Sequence, residues 1–173
     1  MIKVGQPAPD FTLQGYEKGK FAEYKLSEIS ASGKWTVLFF YPLDFTFVCP
    51  TEITGFNKEI KNFQDLNAQV LGASVDSVHS HKAWVEKDLG ELEFPLLSDF
   101  RKEVADDYNV LVDDEGGVAL RGTFIIDPQG ILRYAVVSDL NVGRSVSETV
   151  RVLRALQNGG LCPVEWDEGD DTL

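Results

Sequence analysis

The chain has few cysteines, few histidines and a deficit of basic residues. Its 173 residues include 2 Cys and 2 His, and 16 Lys and Arg oppose 28 Asp and Glu, which gives a formal net charge of −12. This charge repels nucleic acid phosphates and anionic lipid surfaces, so we expect neither a nucleic acid nor a membrane partner. Widely separated cysteines without a Cys-x-x-Cys pair argue against a zinc site and against a thioredoxin-type disulfide reductase. We therefore expect no bound metal, and we interpret His81 as a capping or packing residue.

Long apolar runs are also missing from the sequence. No stretch is long enough to span a bilayer, and Met1 to Asp10 has no basic region followed by an apolar run, so it does not have the pattern of a signal peptide. These features predict a cytoplasmic protein. Structural disulfides are rare in the cytosol, so the two cysteines are expected to be reactive or simply buried.

The chain contains no internal repeat, low-complexity tract or linker that would divide it into two folding units. Its length suits one domain with a full hydrophobic core. We expect residues 1–158 to form this domain and residues 159–173 to form a mobile C-terminal tail.

The order of strand and helix patterns predicts the fold class. Short apolar runs typical of strands covered on both faces occur at Thr36–Tyr41, Val70–Val75 and Thr123–Ile126. Helical periodicity is found at 51–66, 80–89, 101–108 and 145–156. The turn sequence Asp127-Pro-Gln-Gly130 favours an antiparallel hairpin. We therefore predict a single-domain, three-layer α/β sandwich with a mixed sheet and a terminal hairpin, which is the thioredoxin-like arrangement.

Cys49 is the strongest candidate for a reactive residue. It ends an apolar segment, and Pro50 suits the first turn of the helix that follows. Backbone N–H groups and the helix dipole favour an anion at this position, so the thiol is placed to ionise and act as a nucleophile. The alternative, which is the commoner case for a single cysteine without regard to its neighbours, is an inert, buried core residue.

The residues around Cys49 carry a family resemblance. The segment Tyr41–Glu52 has the spacing Pro-x-x-x-Thr-x-x-Cys and resembles the active-site signature of peroxiredoxins, which are thiol peroxidases with a modified thioredoxin fold. In its longer form it is similar to typical two-cysteine peroxiredoxins and to the peroxidase component of alkyl hydroperoxide reductase. Further matching segments, in the family's order, are Ser74–Ser77, His81–Trp84, Arg121–Asp127, Val142–Ser145 and Cys162–Trp166.

The resemblance implies a role for each residue around the thiol. Cys49 is expected to be the peroxidatic cysteine, and the Thr46 hydroxyl and the Cys49 backbone N–H are expected to hold the oxygen under attack. Arg121 is expected to support both thiolate and peroxide through its several donors. Pro42 is expected to shield the pocket from water.

Three further residues match family positions. Glu52 and Arg144 are expected to brace the helix start and Arg121 from behind. Cys162 is expected to be the resolving cysteine, which captures the sulfenic acid of Cys49 as a disulfide. The separation along the chain leaves open whether this link lies within one chain or between two; the family resemblance implies a neighbouring chain in a homodimer, and often a decameric ring.

The implied activity is the reduction of hydrogen peroxide and organic hydroperoxides, in antioxidant defence and redox homeostasis, with no cofactor. Electrons are expected to return from a thioredoxin-like protein or a flavoprotein disulfide reductase. Two functions outside this class remain as alternatives at this point: a ring-forming holdase chaperone, and a redox sensor or relay.

Overall fold

The computed structural model describes residues 1–114 and 116–173, which form a mixed α/β fold. The strands are β1 (Thr12–Glu17), β2 (Lys20–Lys25), β3 (Trp35–Phe40), β4 (Ala68–Ser74), β5 (Leu96–Ser98), β6 (Leu111–Val112), β7 (Val118–Ala119), β8 (Arg121–Ile126) and β9 (Leu132–Ser138). The helices are α1 (Leu26–Ala31), α2 (Cys49–Lys58), α3 (Ile60–Asp65), α4 (Val78–Trp84), α5 (Glu103–Asp107) and α6 (Val146–Asn158), with a π-helical turn at Val85–Leu89.

Seven of these strands form the central sheet in the order β2-β1-β5-β4-β3-β8-β9, while β6 and β7 pair separately. The pairs β3–β4 and β4–β5 are parallel and are joined by α2 with α3 and by α4. The other pairs, including the β8–β9 hairpin, are antiparallel. The predicted mixed sheet with a terminal hairpin is therefore confirmed.

Helices cover both faces of the sheet because β3 is apolar on both sides. Side chains along a strand alternate between faces, so Phe39 joins one cluster and Phe40 joins the other. The Phe39 cluster includes residues of α2, α3, α4 and α6, and the Phe40 cluster includes residues of α1 and α5. The result is the three-layer sandwich expected from the sequence, of the thioredoxin-like type.

Local chemistry explains where several elements begin and end. Ser145 caps α6 by accepting a hydrogen bond from the Glu148 N–H at 3.2 Å. Gly159 ends the helix in the left-handed region with φ 74°. Asp127 fixes the hairpin turn, because its Oδ1 accepts bonds from the Gln129 and Ile131 N–H groups, each at 2.9 Å.

The structure also differs from the predicted elements. The single helix expected over 51–66 is two helices, since the backbone at Glu59 leaves helical geometry (φ −93°, ψ 5°). The β1–β2 hairpin was not predicted, because β2 is almost entirely exposed and has no apolar alternation. The sequence signal for this hairpin is the turn at Lys18-Gly19. Both residues have a positive φ, which is the backbone conformation that a tight hairpin turn requires.

Replacing Phe56 tests the packing between α2 and the sheet. The Phe56 ring is fully buried and stacks on Phe39 with a centroid distance of 4.2 Å. We expect Phe56→Ala to lower the free energy of unfolding by about 3–5 kcal/mol, through lost burial and the cavity left behind. Urea unfolding at fixed protein concentration measures this. Phe100→Ala is the matched control, because the Phe100 side chain is largely exposed; equal losses in the two variants would contradict this account of the core.

Candidate active site

Cys49 lies where the chain turns from β3 into α2. It is the first residue of α2, Pro50 lies in the first turn, and no side chain of the described residues caps the helix start at Val48. The thiol is fully buried. It lies at the N-terminal end of the helix, the position that the sequence predicted.

Arg121 brings a positive charge to the sulfur from the first residue of β8. Its Nη1 donates to Cys49 Sγ at 3.3 Å and to Glu52 Oε2 at 2.7 Å, and its Nε donates to the Leu140 carbonyl at 2.8 Å. Burial acts to lower the pKa of Arg121, but the hydrogen bond to Cys49 and the charge of Glu52 outweigh burial and raise it. The guanidinium therefore stays charged against the thiol.

Glu52 joins Arg121 to Arg144, which precedes α6. The Arg144 N–H and Nε donate to Glu52 Oε1 at 3.0 and 2.9 Å, and the Arg144 side chain also bonds the Gly122 carbonyl and the Thr123 hydroxyl. Burial lowers the pKa of Arg144, and the hydrogen bonds and charge of Glu52 oppose that change. Glu52 thus holds two buried guanidinium groups in place behind the sulfur.

The charged side chains of this buried group do not balance one another. Arg121 and Arg144 are cations and Glu52 is an anion, so these three side chains leave one positive charge in excess. An uncompensated buried charge is costly. Ionisation of Cys49, in direct contact with Arg121, makes the set neutral.

Pro42 and Thr46 lie in the connection between β3 and α2. Pro42 is buried and Thr46 is half-buried. The Thr46 hydroxyl donates to the Leu43 carbonyl at 3.0 Å. A hydroxyl that has donated its proton keeps its oxygen lone pairs for an incoming donor.

A buried polar cluster supports this connection and was not identified as a site from the sequence. His81, which is fully buried, contacts Asp44 Oδ2 through Nδ1 at 2.7 Å and the Leu97 carbonyl through Nε2 at 2.8 Å. The Tyr41 hydroxyl donates to Asp44 Oδ1 at 2.8 Å, and burial followed by the charge of Asp44 raises the Tyr41 pKa. The signal was present in the buried stripe Val78, His81 and Trp84 of α4, because a histidine in such a stripe needs partners.

Cys162 lies apart from the Cys49 contacts. It follows the end of α6, is half-buried, and has its Sγ 3.8 Å from the Ala155 carbonyl oxygen. Both cysteines are free thiols. The structure therefore joins Cys49 to Arg121, Glu52 and Arg144, while the second thiol lies elsewhere on the chain.

Neither metal chemistry nor a membrane span is indicated by the part of the chain that the structure describes. Across residues 1–114 and 116–173, no group of three or more His, Cys, Asp or Glu side chains is arranged to hold a metal ion. Over the same ranges, none of the helices combines the length and apolar character needed to cross a bilayer.

Removing Glu52 tests the buried charge arrangement. Glu52→Ala leaves two buried guanidinium groups without their carboxylate, so we expect the free energy of unfolding to fall by about 3–5 kcal/mol. Urea unfolding of the wild type and the variant under the same conditions measures this change in the free energy of unfolding. Glu103→Ala is the control, because the Glu103 pair with Arg101 is exposed and is expected to contribute at most about 1 kcal/mol. A Glu52→Ala loss no larger than that of the control would disprove the role given to Glu52.

Comparison with known proteins agrees with this geometry. The model of the AhpC/TSA family matches residues 4–135. A putative peroxiredoxin in the rubredoxin operon of Clostridium pasteurianum is 54% identical over 178 residues, which cover 98% of each chain. A mitochondrial thioredoxin-dependent peroxide reductase of Drosophila melanogaster is 51% identical, over 96% of this chain and 74% of that one. The reduced 2-Cys peroxiredoxin of Plasmodium vivax superposes with a TM-score of 0.94 at 39% identity, over 98% of this chain and 91% of that one. The chain therefore belongs to the AhpC/TSA family and is a peroxiredoxin.

Proposed function

We propose that this peroxiredoxin, a thiol-dependent peroxidase, uses Cys49 as its nucleophile to reduce hydrogen peroxide and organic hydroperoxides. The observation that carries the assignment is the 3.3 Å bond from Arg121 Nη1 to Cys49 Sγ, within a buried set of charges that a thiolate makes neutral. The thiolate is the reactive form of cysteine, so this arrangement supplies the nucleophile before substrate arrives.

In the first step the Cys49 thiolate attacks one oxygen of the hydroperoxide. An S–O bond forms, the O–O bond breaks, and the second oxygen takes a proton and leaves as water or an alcohol, so that Cys49 becomes a sulfenic acid. Negative charge moves from sulfur to the leaving oxygen, and Arg121 is placed to stabilise it throughout. Because the Thr46 hydroxyl donates to Leu43, it can accept a bond from the hydroperoxide O–H while the Cys49 N–H donates to the oxygen under attack. Pro42, which is buried, keeps this space free of water.

In the second step Cys162 captures the sulfenic acid. The Cys49 sulfur is fully buried, so no second sulfur can reach it until the first turn of α2 unwinds. The missing side-chain cap at Val48 makes this turn less costly to open. Cys162 then attacks the Cys49 sulfur, a disulfide forms, and the hydroxyl leaves as water. We place this disulfide between two chains of a homodimer.

The edge of the sheet supports a homodimer. Strand β9 lies at the end of the strand order, and its Val136 and Val137 side chains are exposed. An exposed apolar edge strand favours pairing with another chain. A second copy that pairs along β9 in the antiparallel sense would continue the sheet with twofold symmetry.

A second apolar surface supports assembly beyond the dimer. Phe45 and Phe21, each about half exposed, lie on a different part of the molecule from β9, and Leu43 is exposed beside Phe45. Phe45 is held in the left-handed region at φ 57°, with its ring against Trp84. Association of dimers through this surface fits a ring such as a decamer.

Both electrons for the peroxide come from the two sulfurs, so the chemistry itself requires no metal or bound cofactor. The disulfide must then be reduced by a dithiol donor, either a thioredoxin-like protein or a flavoprotein disulfide reductase; the name of the Drosophila relative favours the first. We place this activity in antioxidant defence and redox homeostasis in the cytoplasm. The comparisons favour neither a holdase chaperone nor a redox relay as the function.

Variants of the Cys49 site test the peroxidase assignment. We expect Cys49→Ser to reduce hydrogen peroxide no faster than buffer, because it lacks the nucleophile. We expect Arg121→Gln to lower kcat/KM by about 10²- to 10³-fold, the loss typical for removing one transition-state donor. The rate of peroxide consumption in the presence of a thiol donor measures the activity of both variants. Arg101→Gln, an exposed arginine on another part of the surface, is the control and should match the wild type; a wild-type rate no higher than that of a free thiol would disprove the assignment.

Mixing two variants tests the interchain disulfide. We expect Cys162→Ser to complete one turnover and then stop, since its sulfenic acid has no second thiol to meet. After one equivalent of peroxide, a nonreducing gel should show a two-chain species for the wild type and for a mixture of Cys49→Ser with Cys162→Ser. Each variant alone should remain a single chain. A wild type that loses both free thiols after peroxide but remains a single chain on the gel would indicate a disulfide within one chain.

A further inference from the structure

Residues 43–46, which we call the Thr46 loop, have one buried side chain. Leu43 and Phe45 are exposed and Thr46 is half-buried, whereas Asp44 between them is buried. Phe45 has a φ of 57°, a left-handed conformation that costs free energy for any residue other than glycine. The intrinsic preferences of its residues therefore do not hold this loop in place, and the contacts of Asp44 must do so.

Asp44 is held at three of its atoms. Its Oδ1 accepts a hydrogen bond from the Tyr41 hydroxyl at 2.8 Å, and its Oδ2 lies 2.7 Å from His81 Nδ1. Its backbone N–H donates to Asp76 Oδ2 at 2.6 Å. These partners lie on β3's end, on α4 and on the connection between β4 and α4, so Asp44 ties the loop to three separate parts of the fold.

The position of Asp44 determines the direction of the Thr46 hydroxyl. The Asp44 N–H belongs to the same peptide unit as the Leu43 carbonyl, and a peptide unit is planar. The bond from this N–H to Asp76 therefore also fixes the direction of the Leu43 carbonyl. That carbonyl accepts the Thr46 hydroxyl at 3.0 Å, so it decides where the oxygen lone pairs of Thr46 point.

The partners of His81 require a proton on each ring nitrogen. Nε2 lies 2.8 Å from the Leu97 carbonyl oxygen, which can only accept, so Nε2 must donate. Nδ1 lies 2.7 Å from Asp44 Oδ2, and a carboxylate oxygen also only accepts. The Tyr41 hydroxyl is 3.4 Å from Nδ1 but already donates to Asp44. A second proton therefore lies between His81 and Asp44.

The charges around the ring favour this proton on His81. Asp44 and Asp76 bring two carboxylates to the cluster, and Tyr41 stays neutral because burial, followed by the charge of Asp44, raises its pKa. Burial raises the pKa of Asp76, the Asp44 N–H lowers it, and the charges of Asp44 and His81 act in opposite directions. Other titratable groups on or beside α4 are engaged elsewhere: His79 and Lys82 face Phe21, and Tyr16 donates to Glu86.

We propose that His81 is a positioning residue for peroxide reduction: as an imidazolium paired with Asp44, and together with Asp76, it holds the Thr46 loop so that the Thr46 hydroxyl directs its lone pairs toward the hydroperoxide. This inference rests on the proposed reaction of Cys49 with hydroperoxide. His81 acts through Asp44 and takes no part in the bond changes of that reaction. Its two ring protons stay in place while the S–O bond forms and the O–O bond breaks.

Two replacements of His81 each keep one of its contacts. In His81→Gln the amide nitrogen takes the place of Nε2, so the loop loses its donor to Asp44. In His81→Asn the amide nitrogen takes the place of Nδ1 and keeps that donor. We expect His81→Gln to lower the second-order rate constant for Cys49 oxidation by hydrogen peroxide by about 10- to 100-fold, less than the loss of a whole transition-state donor because Thr46 remains. His81→Asn should react at close to the wild-type rate. Rapid quenching and mass spectrometry of full-length protein measure both.

Alkylation of Cys49 by iodoacetamide is the second measurement. It depends on the thiolate, which contacts Arg121, and does not use the Thr46 hydroxyl. We expect it to be unchanged in both His81 variants, whereas an unfolded variant would expose the buried thiol and alkylate faster. His79→Gln is the matched control, because His79 is an exposed histidine on the same helix, and it should match the wild type in both reactions.

Asp76 gives a second pair of variants in case His81→Gln does not fold. Asp76 is half-buried, so its replacement leaves the core intact. Asp76→Ala removes the acceptor of the Asp44 N–H and should slow Cys49 oxidation without changing alkylation. Asp76→Asn keeps an acceptor oxygen and should react like the wild type.

Nuclear magnetic resonance of protein with ¹⁵N-labelled histidine tests the charge of His81. The chain has only two histidines, so His79→Gln assigns the His81 signals. We expect both His81 ring nitrogens to carry protons at a pH where His79 has become neutral. In Asp44→Asn the new amide donates to Nδ1, so only Nε2 should keep its proton.

The outcomes distinguish this inference from the proposed function. A His81→Gln variant that oxidises Cys49 as fast as His81→Asn, or faster, overturns the positioning role; for the Asp76 pair, equal rates do the same. A single ring N–H on His81 in the wild type overturns the imidazolium. In each case a wild type that reacts with peroxide far faster than a free thiol keeps the peroxidase assignment. A wild type that does not do so overturns the proposed function, and this inference with it.

Discussion

The site depends on one electrostatic constraint: two buried guanidinium groups share a single carboxylate. Glu52 accepts hydrogen bonds from both Arg121 and Arg144, and the charge that remains uncompensated faces the Cys49 sulfur. A buried charge without a partner destabilises the fold, and the thiolate that we propose at Cys49 would supply that partner. Stability of the folded chain and reactivity of the thiol are therefore linked through the same ion pairs.

The sheet provides this arrangement by placing distant segments close together at the C-terminal end of β3. Strands β3 and β8 are antiparallel neighbours, so the end of β3, which leads to Cys49, lies beside the start of β8, which carries Arg121. Arg144 reaches the same end of these strands from the segment before α6, and its side chain donates to the Gly122 carbonyl of β8. The His81 and Asp44 contact then fixes the connection that bears Thr46. Helix α2 contributes Cys49 and Glu52, β8 contributes Arg121, and the packed sheet holds these groups in their relative positions.

The two thiols lie at opposite kinds of helix terminus. Cys49 is the first residue of α2, whereas Cys162 follows the end of α6 and has its sulfur 3.8 Å from the Ala155 carbonyl oxygen. This difference fits an order of events in which one sulfur reacts with peroxide and the other waits. Cys49 is fully buried and Cys162 lies against α6, so the reaction cycle that we propose requires local opening before the two sulfurs can meet.

The sequence by itself determined the elements whose signals are local: the α2 start at Cys49 and Pro50, the cap of α6 at Ser145, and the hairpin turn at Asp127. Through the family resemblance it also indicated Arg121, Glu52 and Arg144, which the structure joins to Cys49 in one buried network. Tertiary structure alone decided the features that depend on contacts between distant segments: the partners of His81 and the hydrogen bonds by which Glu52 joins two arginines. The reason is physical. Caps and turns are set by neighbours within a few residues, whereas a buried polar group acquires its partners only when the sheet and helices have packed together.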